Sequence, residues 1–195
     1  MGKKILIVVD VQHDFCHPDG ALFVPNGDVV KDRIKNIIPE FDFVVFTKDS
    51  HPINHCSFTS QGGKWPIHCV SNTTGAGIPV ELFLAAKDYA IVSKGGASDV
   101  EEYGAFNEDE YELECAICWA FDNYEEAGEL FDKTDELVIC GMAGDYCVLE
   151  TLKNVMKYFP HKDRIKVYLD GVASTDGGFE ITEYVMDKDI TIYNE

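Results

Sequence analysis

The chain is poor in positive charge. Its 195 residues carry 16 Lys and Arg against 35 Asp and Glu, a formal net charge of −19. That balance excludes a phosphate backbone or an anionic membrane surface as the natural partner. Long hydrophobic runs are also lacking. The apolar stretch after the basic start, Ile5 to Val9, is five residues long and ends at Asp10, too short for a secretory core or a membrane span. Gly2 is not followed by the Ser or Thr that myristoylation needs at position six, which is Leu6. The seven cysteines are an odd number without a repeating framework, so they read as thiols in a reducing, cytoplasmic compartment. Internal repeats, low-complexity tracts and linkers are absent, and no domain boundary is placed within residues 1–195.

What is present suits a packed globule: 46% hydrophobic and 12% aromatic residues, enough for a core without covalent staples. Strands are predicted at 3–10, 41–48, 88–94, 135–141, 164–170 and 189–193. Helices are predicted at 28–40, capped by Asp28, near 79–86, at 120–132, at 145–158 and at 178–187. This alternation predicts an α/β fold, a three-layer αβα sandwich around a mostly parallel sheet of about six strands. Residues 49–87, rich in His, Gly, Pro and Ser, form an irregular insertion whose length points to function. In open sheets of this kind ligands bind beyond the carboxyl ends of the strands, and Asp10, Asp49, Lys94 and the segment before Cys147 lie there.

Two groups of residues carry chemistry. Cys147 falls in the first turn of the predicted helix 145–158, where free N–H groups and the helix dipole favour a thiolate and can hold an oxyanion. Lys94 ends a strand in a place where an ammonium needs a partner. With Asp10 these make a base, a cation and a nucleophile on one rim. In the loop, Asp49 and His51 point the same way on extended backbone, and His55 and His68 follow. Five of the six histidines fall within residues 13–68. One carboxylate with two or three imidazoles suits a divalent transition metal, zinc before iron or manganese.

The segments D-V-Q-H-D-F (10–15), T-K-D-S-H-P (47–52), W-P-I-H-C-V (65–70), S-K-G (93–95), Y-G-A-F (103–106) and G-M-A-G-D-Y-C-V (141–148) resemble the isochorismatase-like cysteine hydrolases. Within them they are most similar to the nicotinamidase/pyrazinamidase branch, over residues 4 to 170 in family order. The resemblance implies a Rossmann-like fold, Asp10, Lys94 and Cys147 as catalytic triad, and Asp49, His51 and His68 as metal ligands. His55 matches a histidine that lies near the metal and in some members ligates it. The resemblance also implies a cis peptide before Ala143, an oxyanion hole from the N–H groups of Ala143 and Cys147, and pocket walls from Phe15, Trp65, Tyr103 and Phe106. The implied activity is hydrolysis of nicotinamide to nicotinate in NAD salvage, with this small molecule as partner; homo-oligomerisation stays open.

Departures from the pattern are Ser50 for an aromatic, Gly144 for Thr and Gly104 for Ser, and the acidic stretch 107–126 matches nothing. The competing readings are another cysteine hydrolase of the superfamily acting on a different small amide, and a non-catalytic small-molecule-binding domain on the same fold. A structural zinc module on Cys115 and Cys118 lacks a second pair of cysteines close by. A neutral substrate suits the charge of −19 better than a dianion does.

Overall fold

The structure, a computed structural model, describes residues 2–107, 110–120 and 129–194. Six parallel strands form one sheet: β1 (Lys3–Val9), β2 (Phe43–Asp49), β3 (Tyr89–Lys94), β4 (Thr134–Met142), β5 (Ile165–Ala173) and β6 (Thr191–Ile192), in the order β3-β2-β1-β4-β5-β6. β1 explains itself. Its Ile and Val side chains are buried on both faces, the pattern of a central parallel strand.

Ile5, Ile7 and Val9 enter one core and Leu6 and Val8 the other. Helices cover both faces, so the three-layer expectation holds. One layer holds α2 (Gly27–Ile37) and α3 (Val80–Ala85), through Val30, Ile34, Ile37 and Leu82. The other holds α4 (Glu110–Cys118), α5 (Glu129–Lys133), α6 (Leu149–Tyr158) and α7 (Phe179–Asp187), through Leu113, Ile117, Phe131, Leu152, Val155, Ile181 and Val185. The short α1 (His13–Cys16) follows β1. Among the described residues no helix is long and apolar enough to cross a membrane.

Several boundaries differ from expectation. Asp28 does not cap α2: the helix begins one residue earlier, behind Asn26 in the left-handed conformation. Asp28 sits in the first turn, where its charge still faces the positive end of the dipole. Helix 145–158 begins only at Leu149, because residues 144–148 form a wider turn closed by the Val148 N–H donating to the Ala143 carbonyl at 3.0 Å. The acidic stretch holds α4, whose Leu113, Ala116 and Ile117 are buried on one face, with Ala120 buried just after it. Of the helix predicted at 120–132, residues 129–132 belong to α5, and 121–128 lie outside the described residues.

The strand order reverses between β1 and β4, so the crevice beyond their carboxyl ends is the place for a ligand. Gly141 makes the close approach of these two strands: its φ is +129°, and a Cβ there would stand 2.1 Å from the Val9 carbonyl oxygen. Gly141→Ala is therefore expected to cost ~3 kcal/mol of stability. Gly96→Ala, in open space, should stay within ~0.5 kcal/mol. Denaturant unfolding of the two variants measures the contrast.

Candidate active site

Four strand ends converge at that crevice. Asp10 follows β1, Asp49 ends β2, Lys94 ends β3 opposite Asp49 in register, and Cys147 lies in the turn after β4. All four are buried. The Lys94 ammonium sits 2.8 Å from Asp10 Oδ2 and 2.5 Å from Asp49 Oδ1, and donates to the Glu102 carbonyl at 3.3 Å. It also lies 3.8 Å from Cys147 Sγ. Asp10, Asp49 and Cys147 bring one ligand atom each within 4.8 Å of one another.

The electrostatics follow from burial and this arrangement. Burial pushes the Asp10 carboxyl up, and the Lys94 charge offsets that only in part. Burial also raises Asp49, but Lys94 and His51 outweigh it and hold the group below the usual carboxylate range. Burial lowers the Lys94 ammonium, and the two carboxylates more than reverse this, so it stays charged. Burial pushes the Cys147 thiol well up; Lys94 opposes this and the carboxylates add to it. The resting thiol is thus protonated beside an ionised cluster, and making a thiolate requires a proton acceptor at hand.

The second group is the metal set. Asp49, His51 and His68 place their ligand atoms within 4.8 Å of one another. His51 Nδ1 is 2.8 Å from the Gly95 carbonyl and His68 Nδ1 is 2.8 Å from the Pro66 carbonyl. A carbonyl only accepts, so each Nδ1 carries its hydrogen, and in the neutral ring each Nε2 keeps its lone pair for a ligand. His51 Nε2 is 3.6 Å from Asp49 Oδ2. Two imidazoles that each turn Nε2 to the site, with the Asp49 carboxylate, are a donor set that fits a divalent metal once the rings are neutral. Gly95, at φ +67°, lets this happen: a Cβ there would meet His51 Cε1 at 2.5 Å.

His55 is built differently. It stacks on His51 at 4.1 Å, but its Nε2 donates to the Val100 carbonyl at 3.0 Å and its Nδ1 accepts the Ser57 hydroxyl at 2.7 Å. Both nitrogens are thus engaged inside the protein, with the ring stacked on His51. Cys115 and Cys118 join no metal-binding group among the described residues.

A cleft opens beside these residues, lined by Asp49, His51, His68 and Cys147. Of the expected wall residues, Phe15, Trp65 and Tyr103 line it, as do Ala143 and Cys147. Phe106 does not: its φ of +60° turns the side chain away, into the buried cluster on the face of α4 and α6. The Met142–Ala143 peptide is cis, as the resemblance implied. A Cβ on Gly144 would stand 2.0 Å from Ser174 Oγ, so Ser174 fills the space next to the residue that departs from the pattern.

Sequence reasoning missed the residues that hold the site in place. Gln12 accepts the Asp49 N–H at 2.7 Å and donates to the Asp49 carbonyl at 2.8 Å and the Ala76 carbonyl at 3.0 Å. Thr47 donates to Asp10 Oδ1 at 2.6 Å. Asp14 accepts the Cys69 N–H at 2.7 Å beside His68. The Phe58 ring touches His51, His55 and His68. Gln12 and Asp14 stand inside the D-V-Q-H-D-F motif, the one local signal that pointed to them. Tyr146, which lines the cleft next to Cys147, was signalled in the same way by G-M-A-G-D-Y-C-V.

No family model matches the chain. The nicotinamidase of Saccharomyces cerevisiae is 32% identical over 180 residues, covering 76% of this chain and 79% of the relative. The crystal structure of the pyrazinamidase of Pyrococcus horikoshii in complex with zinc superposes with a TM-score of 0.80 at 32% identity, covering 98% of this chain and 99% of that one. The structure of PnC1 from L. infantum in complex with nicotinate superposes at 0.75 and 27% identity, covering 99% and 93%.

The donor geometry separates the histidines by experiment. Titration of the metal-stripped protein with a divalent transition ion should give one equivalent for His55→Ala. His68→Ala should bind at least ~100-fold more weakly, since a ligand itself is lost. Equal losses for the two variants would contradict the assignment.

Proposed function

This chain belongs to the nicotinamidase/pyrazinamidase branch of the isochorismatase-like cysteine hydrolases, and from that premise we propose that it hydrolyses nicotinamide to nicotinate and ammonia through a thioester on Cys147. The observation that carries the reading is the buried Lys94 ammonium, 2.8 Å from Asp10 and 3.8 Å from Cys147 Sγ, beneath a cleft lined by Cys147 and by the Asp49–His51–His68 donors. We treat residues 1–195 as one catalytic domain. A thiol nucleophile among seven free cysteines suits a reducing cytoplasm.

In this mechanism Asp10 accepts the Cys147 proton. Its Oδ2 has the ion pair with Lys94 but no hydrogen bond, which leaves a lone pair for the thiol hydrogen. Lys94 stabilises the thiolate as it forms. The sulfur attacks the carboxamide carbon, and the resulting oxyanion is met by the N–H groups of Ala143 and Cys147, each donor worth about 3 kcal/mol in such a site. The C–N bond breaks as Asp10 returns the proton to the leaving nitrogen, and ammonia departs. Asp10 then takes a proton from water, the hydroxide displaces Cys147 from the thioester, and nicotinate is released. A divalent metal on Asp49, His51 and His68, zinc by the donor set and by its presence in the Pyrococcus horikoshii neighbour, would supply a Lewis acid that holds the pyridine nitrogen and fixes the ring. Phe15, Trp65 and Tyr103 would flank that ring.

Cys147→Ala is expected to abolish ammonia release from nicotinamide while the bound metal remains stoichiometric; substantial residual turnover would rule out the nucleophile. The pH profile follows from Asp10. Its base form is needed and its carboxyl is raised by burial, so kcat/KM should fall as pH drops, through a limb lying above the ordinary carboxylate value of 3.8. Asp10→Asn should lower kcat by ~10²-fold or more, with metal content unchanged.

A further inference from the structure

Lys64 takes no part in the chemistry above and is exposed, yet it bridges two segments whose Trp65 and Tyr146 line the cleft. The backbone around it is fixed. The Gly63 N–H donates to the Phe58 carbonyl at 2.9 Å, the Trp65 N–H to the Ser57 carbonyl at 2.9 Å, and the Thr59 N–H to the Trp65 carbonyl at 2.7 Å. From that anchored turn the ammonium reaches across to the nucleophile's turn. It sits 4.4 Å from the Trp65 ring centroid and 4.5 Å from that of Tyr146, and donates to Tyr146 Oη at 2.5 Å. Tyr146 immediately precedes Cys147, 82 residues along the chain from Lys64.

The rings it touches are part of a closed wall. Trp65 and Tyr146 meet edge to face at 5.1 Å, and Tyr103 lies 5.3 Å from Tyr146. The Trp65 Nε1–H donates to Tyr103 Oη at 3.1 Å. All three rings line the cleft. One joint of this wall, Trp65 to Tyr103, is a neutral hydrogen bond. The other joint, Trp65 to Tyr146, is spanned by a cation that lies against the Trp65 ring and donates to the Tyr146 hydroxyl, which opposes their separation. A lysine that only solvated the loop would have no reason to bridge two segments so far apart in sequence.

We infer that Lys64 is a positioning residue that latches the Trp65–Tyr146 wall and thereby sets the size of ring the cleft admits. The inference rests on the amide-hydrolase reading of the site. It makes a distinctive demand: the substrate-holding wall depends on Lys64, whereas Asp10, Lys94 and Cys147 do not touch it. Removing the charge should loosen the hold on a small ring and admit wider ones, without slowing the reacting groups.

Lys64→Met keeps the length of the side chain and removes the cation; Lys64→Arg keeps the cation. With nicotinamide, Lys64→Met is expected to raise KM about fivefold and to leave kcat within about twofold, the scale of losing contact with two rings. A nicotinamide widened by an ethyl group on its ring should gain in kcat/KM relative to nicotinamide itself, and Lys64→Arg should restore wild-type values. An unchanged KM and size ratio in Lys64→Met, or a fall in kcat alone, would overturn the latch. A second readout needs no activity. With Trp119→Phe, Trp65 is the only tryptophan, and its quenching by acrylamide should increase on Lys64→Met; unchanged quenching overturns the latch as well. A wild-type protein that released no ammonia from nicotinamide would sink the activity reading instead, and the quenching result would still decide the latch.

Discussion

A single buried ammonium organises this molecule's functional end. Lys94 is 7% exposed and lies between two carboxylates that are themselves buried. An ammonium in that position without partners would lose its proton or unfold its surroundings. The two carboxylates without it would repel each other at the ends of neighbouring strands. Each group makes the burial of the others possible, and the parallel register that sets Asp49 opposite Lys94 is what brings them together. The cluster then does two jobs with one set of charges. Asp10 faces the thiol, Asp49 faces the histidines, and Lys94 joins them. Lys94 thus couples the nucleophile to the metal-ligand carboxylate through one shared charge.

The second constraint is orientation. Asp49 could not serve as a ligand if its backbone drifted, and Gln12 holds both its N–H and its carbonyl. His51 and His68 could present the wrong nitrogen, and backbone carbonyls at Gly95 and Pro66 fix the tautomer of each. His55 shows the converse case. It is the same residue type at the same place, stacked on a ligand candidate, yet its lone pair is already committed to Ser57. The hydrogen-bond partners thus distinguish His55 from His51 and His68, whose Nε2 atoms face the site.

Much of this was legible in the sequence because it follows from strand ends. A β-branched run that stops at an acid or a lysine marks a buried strand whose last residue faces the crevice, and Asp10 and Lys94 could be read that way. The alternation of strands and helices likewise led to the parallel sheet and its layers. What could not be read depends on long-range contact or on local backbone geometry. Gln12, Asp14 and Thr47 act through partners distant in the chain, and no periodicity reports such contacts. The wide turn at 144–148 looks like the start of a helix in residue type, and only the hydrogen bond from Val148 to Ala143 reveals it. Phe106 matches a motif position, but its positive φ sends the ring into the core. Leu113, Ala116, Ile117 and Ala120 did carry a helical pattern within the acidic stretch, obscured by the charges around it.

The charge of −19 also takes on a narrower meaning in the structure. Exposed charges more than about 8 Å apart are largely screened at physiological salt, so the surface excess acts on large polyanions more than on a small ligand inside a cleft. Selection within the cleft belongs to its lining. Aromatic rings favour a flat apolar body, while the carboxylates of Asp49 and Glu101 face the same space. Lys94 is held beneath them by Asp10 and Asp49, and Lys64 is engaged with Tyr146 at the wall. A neutral amide enters such a lining without penalty. Its hydrolysis product carries a carboxylate, which the Glu101 side chain opposes, so charge in the lining admits the neutral substrate more readily than the acid it becomes.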